Sequence, residues 1–261
     1  MTYLRLSVLA ACLPLLAVLS PASADEAGGH RYVLDLGGGV LAQPRYPGSD
    51  ETIAVPYPLI AVSRLFVPGV GQIDGNDGTR RITVYPSFNF IGERNSADSN
   101  ELEGLEDVDW ALEAGLGLSA RYDWIRGFAE VRQGFNGYSG QVANFGVDLI
   151  GSPMEDLELR FGPRAGWGSQ NYMDTYFGIS ASEAAASPLY DQAYKANAGF
   201  NTVGLAGSAT YNLTDDWKLH ALVGWDRLVG DAGNSPIVKE GSVNQYYAGA
   251  GITYRFAFDL F

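Results

Sequence analysis

Between Asp109 and Asp123 the chain alternates strictly. Trp110, Leu112, Ala114, Leu116, Leu118, Ala120 and Tyr122 are apolar or aromatic, and the intervening Asp109, Ala111, Glu113, Gly115, Gly117, Ser119 and Arg121 are small or charged. Successive side chains of a strand point to opposite faces, so the run predicts one greasy and one wet face. A helix would scatter Glu113 and Arg121 among the leucines. The run is longer than the roughly 5–6 residues usual for soluble strands. It also exceeds the roughly 9–11 residues with which a tilted strand crosses a bilayer. Aromatics close both ends of its apolar face, as a pair of membrane interfaces requires.

The same period recurs along the chain. It predicts strands over His30–Ala42, Thr52–Leu65, Arg81–Ile91, Phe128–Asn136, Val142–Ile150, Leu157–Trp167, Gly199–Tyr211, Trp217–Trp225 and Tyr246–Leu260. Pro56 and Pro58 make the second of these awkward as a central strand. With the opening run this is about ten strands in one up-and-down antiparallel β-barrel, an all-β fold. Twelve are possible if Tyr172–Ser180 pairs with another loop segment as a hairpin. Short turns fall at 123–126, 151–156 and 213–216, and long connections at 92–108, 169–198 and 230–245. If the first strand runs outward, the short turns are all periplasmic and the long connections all external, the usual bacterial arrangement. The long stretch 66–80 and the tight outer hairpin at Gly137–Gly140 depart from it. Ten strands also imply a lumen with little room beyond side chains.

Residues 1–24 read as a signal peptide: Arg5 is the positive region, Leu6–Leu19 the apolar core and Ala22-Ser23-Ala24 the cleavage site. An early Leu9-Ala10-Ala11-Cys12 lipoprotein box is the rival reading. Ordinary cleavage removes Cys12, the only cysteine, and with it disulfides, thiol catalysis and cysteine metal sites. Residues 25–261 then form the barrel domain. Export and the absence of a long apolar helix leave a closed barrel as the only route into a membrane. A secreted soluble β-protein, with the faces reversed, is the alternative. The signal peptide, the aromatic strand ends and the loop-length alternation together assign the Trp110–Tyr122 face to lipid, and Glu113 and Arg121 to the lumen. A net charge of −13 excludes nucleic acid as a partner held by charge.

Four motifs together resemble the MipA/OmpV family of outer-membrane proteins, the MltA-interacting proteins. The first is Pro44-Arg45-Tyr46-Pro47-Gly48-Ser49-Asp50 followed by Val55-Pro56-Tyr57-Pro58-Leu59. The second runs from Arg94 through Leu102-Glu103-Gly104-Leu105 to Leu112-Glu113-Ala114-Gly115. The third is Tyr172 with Tyr176-Phe177-Gly178-Ile179-Ser180. The fourth runs from Arg227 through Gly230-Asp231 and Ser235-Pro236 to Val238, with Thr253-Tyr254-Arg255-Phe256 later. Gly137-Tyr138-Ser139-Gly140 stands where the family often has Gly-His-Lys-Gly. Either Phe256 or Phe261 is the terminal aromatic read by the assembly machinery.

The resemblance implies a non-enzymatic outer-membrane scaffold in contact with lipid and lipopolysaccharide. It would join a murein lytic transglycosylase to a penicillin-binding protein, or act in envelope stress response. A small-solute channel, a surface adhesin and a lumen lipid hydrolase are the alternatives. Neither a cofactor nor a metal is implied.

Candidate chemistry is sparse. His30 belongs at the periplasmic rim, and His220 shares a polar strand face with Lys218 and Asp226, so it would point into the lumen. A catalytic Ser-His or Asp-His pair there competes with a hydrogen-bonded lumen network. Asp109, Glu113, Arg121, Glu130, Arg132, Asp148, Glu158, Arg160, Arg164, Lys218 and Arg255 have the parity of lumen residues, with Glu113 as the expected structural anchor. Their mixed signs favour a self-neutralising network over a pore lining. The acidic run Glu93–Asp109 could hold divalent cations, although its spacing is not that of an EF-hand. Ser187-Pro188-Leu189-Tyr190 predicts a helix start. Asp231 and Ser235 are expected to satisfy nearby backbone groups in a turn-rich segment.

Overall fold

Period-two alternation becomes a barrel wall in the computed structural model, which describes residues 32–67, 71–74 and 82–259. The strands are β1 (Tyr32–Pro44), β2 (Thr52–Val67), β3 (Gly71–Asp74), β4 (Ile82–Ile91), β5 (Ala111–Tyr122), β6 (Ile125–Asn136), β7 (Gln141–Met154), β8 (Leu157–Gly168), β9 (Gly199–Asn212), β10 (Trp217–Leu228) and β11 (Asn244–Phe258). Ten are long. The eleventh, β3, is a four-residue strand laid against the end of β2 in the stretch read from sequence as a turn.

All pairings are antiparallel, and the sheet runs β3-β2-β1-β11-β10-β9-β8-β7-β6-β5-β4. First and last long strands meet, from Tyr32 opposite Phe258 to Ala42 opposite Ala248. Among the described residues no ladder joins β4 to β2 or β3, so the barrel is closed around all but one seam. The prolines 56 and 58 lie on the strand at that edge, where a missing N–H costs the sheet least.

Exposure settles the faces. Leu116 is 64% exposed, Phe161 55% and Val223 60%, whereas Glu113 is 2% and Asp148 1% exposed. The exterior is therefore an apolar surface suited to hydrocarbon, and the charges point inward. No described helix is long and apolar enough to cross a membrane.

The tightest apolar packing is outside the barrel wall. The connections 45–51, 92–110, 137–140, 169–198 and 229–243 gather at one end as a cap. It contains α1 (Gln170–Phe177), α2 (Ala181–Ala186), α3 (Gly230–Asn234), α4 (Pro236–Glu240) and a 3-10 turn at Asn100–Leu102. The short turns at 123–124, 155–156 and 213–216 occupy the other end, together with Tyr32 and Phe258.

Two expectations fail in the cap. Tyr172–Ser180 is not a strand of a twelve-stranded barrel: Tyr172, Met173, Tyr176 and Phe177 fall on one face of a helix and are all buried. Its one strand-like contact is an isolated bridge between Ile179 and Tyr194. Ser187-Pro188-Leu189-Tyr190 does not start a helix either, because Ser187 closes α2 while Ser180 and Glu183 start it with a reciprocal capping box. The signal segment, His30 and Phe261 lie outside the described residues.

Candidate functional site

The cap holds two apolar clusters. Val108, Tyr138, Tyr172, Met173, Tyr176, Phe177, Leu228 and Val238 belong to one. Tyr46, Leu102, Leu105, Ile179, Tyr190 and Ile237 form the other. Polar residues tie the connections together through long-range bonds. Tyr46 Oη donates to Glu101 at 2.9 Å. Gly48 N–H donates to the Gln245 side chain at 3.0 Å, which returns a bond to the Ser49 carbonyl.

Arg94, 3% exposed, donates to the Tyr176 and Glu106 carbonyls at 3.3 and 3.4 Å. Ser235 Oγ donates to the Phe177 carbonyl at 2.7 Å, and Asp231 accepts both the backbone and the side-chain N–H of Asn197. The local role expected for Asp231 and Ser235 is thus replaced by contacts between connections far apart in the chain. Gly104 needs its residue type twice over: φ is +85°, and a Cβ would sit 2.6 Å from the Ser187 backbone. Gly178 ends α1, Gly230 and Pro236 begin α3 and α4, and Asp50 is exposed on the surface.

The acidic run does not converge. Asp98 accepts from Asn95 N–H, Asp107 from Ser96 N–H and Glu101 from Tyr46. Asp109 is exposed at the rim rather than in the lumen. No group of three or more metal-type ligands occurs among the described residues.

Burial opposes ionisation of Glu183. It is outweighed by N–H groups from Glu106 and Ser180, the Ser180 hydroxyl and the Arg94 charge, so the carboxyl is held below its ordinary range. A carboxylate depressed in the folded state stabilises above its unfolded value and loses that contribution as pH falls through its folded one. Cap docking of α2 on the 92–108 segment is therefore expected to loosen below about pH 4.3. Limited proteolysis against pH should show this step, and Glu183→Gln should flatten it.

Beneath the cap lies Glu113. It accepts from Arg132 Nε at 2.9 Å, Tyr138 Oη at 2.7 Å and Asn89 Nδ2 at 3.1 Å. Burial pushes the Tyr138 hydroxyl well up, so it stays protonated and donates. Its ring lies over Gly134, where a Cβ would come within 2.3 Å. Arg132 also binds Glu130 at 2.7 Å, Ser87 and Asn144. Gly115 lets β6 approach closely, since a Cβ there would meet the Val131 carbonyl.

Toward the turn end the ratio of charges reverses. Asp35 takes Lys218 on one oxygen at 2.7 Å and Arg255 on the other at 2.9 Å. Glu158 takes Arg160 and Arg121 in the same way, at 2.6 and 3.3 Å. Asp148 takes Arg164 and Arg126. Arg121 lies on β5 and Glu158 on β8, so their bond crosses the lumen. Strand parity puts Asp35 on the polar face of β1, opposite Leu34 and Leu36, whereas Arg126 reads only as part of the turn after β5. His220 Nε2 is 2.8 Å from Thr253 Oγ1 and Nδ1 is 3.4 Å from Thr210 Oγ1. These are hydroxyl partners, with no carboxylate to orient the ring as a base. Phe256 stands opposite Leu34 and stacks edge-on against Tyr254.

The lumen is not filled by side chains, contrary to expectation. A cavity of about 800 Å³ occupies the turn end and one of about 570 Å³ lies under the cap. Strand tilt and shear, which set barrel width, are invisible to a strand count.

The buried cap residues Tyr46, Gly48, Arg94, Tyr176, Phe177 and Ser235, with the half-buried Gly104, come from four separated motifs. Those motifs fall within the range matched by the family model described as MltA-interacting protein MipA, residues 36–256. The chain belongs to the MipA family. Two MipA-family relatives, named MltA-interacting protein, from Escherichia coli (strain K12) and Shigella flexneri, are each 26% identical over 250 residues. The alignment covers 92% of this chain and 97% of theirs. Among solved structures, Neisserial surface protein A matches at 8% identity and a TM-score of 0.30, covering 86% of this chain and 96% of its own. The outer membrane protease OmpT of Escherichia coli matches at 12% and 0.29, covering 87% and 96%. Likenesses this low leave the fold of this MipA-family chain resting on its own strand pairing.

Proposed function

We propose that this protein is a non-enzymatic barrel of the outer membrane that docks a murein lytic transglycosylase on its periplasmic side. The observation that carries this reading is the cap: the family's motif residues are spent on a buried, interlocked closure of one mouth. The mouth so closed is the one formed by the long connections, so the barrel is no conduit and its short-turn end is left as the rigid, membrane-held face for a periplasmic partner. The relatives' name supplies the class of partner. Glu113 and its ring of donors serve as the anchor that holds the closure to the wall, and the cleaved signal peptide delivers the chain to the periplasm. His220, held between two threonine hydroxyls, is structural.

The test is direct binding. The full barrel, immobilised in detergent or nanodiscs, should capture purified lytic transglycosylase from the same cells with a Kd in the micromolar range or tighter, about −8 kcal/mol. No capture under conditions where the relatives' pair binds would overturn the reading. Ohmic conductance of the purified protein in planar bilayers would favour a channel instead.

A further inference from the structure

We propose that the cavity at the turn end binds an oxyanionic group, phosphate or carboxylate, carried either on a free small molecule or on an acyl chain that enters through the β2–β4 seam. The charge count on its wall is the first ground. Asp35 and Glu158 between them hold four cations, Lys218, Arg255, Arg121 and Arg160, and Arg126, which shares Asp148 with Arg164, is a fifth cation on the wall. Each carboxylate already has both oxygens occupied by cations, so each set keeps one positive charge in excess. Arginine has five N–H donors, and Arg121, Arg160 and Arg255 spend two each on the carboxylates and a nearby carbonyl.

Asp156 and Asp215 also line the cavity, but both are exposed on the turns at its rim, where water and salt screen them. The wall charges sit deeper, with Lys218 17% and Arg121 22% exposed. Under the cap the lining is balanced: Glu113, Glu130 and Asp226 stand against Arg45, Arg132 and Arg164, and Glu113 and Glu130 share Arg132. The inward-facing excess of cations thus lies at the turn end, which holds the roomier of the two cavities. At about 800 Å³ the space matches a small-molecule site.

The seam supplies a route that avoids the acidic rim. Ile60, Ala61 and Val62 of β2 and Tyr85 and Pro86 of β4 line the same cavity, and among the described residues no ladder joins those edges. Backbone groups on an open edge cannot face hydrocarbon unsatisfied. A polar headgroup lodged there would bond them while its chain lay against exposed Ile60 and Val84.

Calorimetric titration of the full barrel in non-ionic detergent tests this with three probes: short-chain phosphatidic acid, glycerol 3-phosphate and short-chain phosphatidylcholine. Wild type should bind phosphatidic acid, more weakly as salt rises, and bind phosphatidylcholine poorly. Lys218→Gln with Arg160→Gln should weaken binding by about tenfold or more. Lys195→Gln with Lys239→Gln, the same charge loss on the exposed cap, should leave it unchanged. Glycerol 3-phosphate binding as tightly as phosphatidic acid identifies a free ligand, and its failure alone identifies a chain-borne one. If neither phosphate monoester binds, if wild-type binding is insensitive to salt, or if the lumen pair of substitutions leaves it unchanged, the proposal is overturned. Should that pair prevent folding, seen as loss of heat-shifted migration, Arg160→Gln alone is expected to weaken binding in the same direction.

Discussion

Glu113→Ala is expected to destabilise the protein by about 3 kcal/mol, the lower end of the cost of breaking a buried ion pair. The side chain is 2% exposed and accepts three bonds, from Arg132, Tyr138 and Asn89. Its removal leaves the Tyr138 hydroxyl without its acceptor beneath the cap and withdraws one of the two carboxylates around Arg132. The loss stays at the lower end because Arg132 keeps Glu130, Ser87 and Asn144. In a chain of this size that corresponds to a fall of about 6–12 °C in the unfolding midpoint. Heat-modifiable migration followed against temperature reads it, and Glu113→Gln, which keeps volume and one acceptor, should lose less. An unchanged midpoint for the alanine variant would remove Glu113 from its anchoring role.

The second large effect belongs to the cap. Phe177 is fully buried and packs edge-on against Tyr172, with ring centroids 6.0 Å apart. Its carbonyl also receives the Ser235 hydroxyl. Phe177→Ala should cost about 3–5 kcal/mol through lost burial and the cavity left behind. That cost falls on the cap, while the barrel keeps its ladders. The expected result is a protein that still shows heat-shifted migration but is cut readily within residues 169–198 by a protease that spares wild type. Loss of both properties together would mean that cap and wall fold as one unit.

How much of this was legible differs between wall and cap. The strands were readable because the side-chain period of a strand is local: Trp110 to Tyr122 alternates whatever the rest of the chain does. Helix α1 was missed as an element because Tyr172, Tyr176 and Phe177 resemble strand material until their burial face is known. Tyr138 was quoted only as a departure from the family hairpin. Its function as a Glu113 donor depends on Gly134 leaving room for its ring, a relation across the hairpin with no periodic signature. Parity put Arg121, Glu158, Arg160 and Lys218 inside, but parity carries no height along the barrel axis. The pairing of two cations with each carboxylate emerged only from strand register.

By itself, then, the sequence determined how each strand divides into an apolar and a polar face, because pleating alternates the side chains residue by residue. Only the tertiary structure decided that residues as distant as Tyr46 and Glu101, Arg94 and Tyr176, or Phe177 and Ser235 close over one mouth. Those contacts join connections separated by whole strands, and no local rule specifies which distant partner a buried donor will find. The width of the lumen and the gathering of paired cations at its turn end were settled at the same level, by tilt and register acting on the whole sheet.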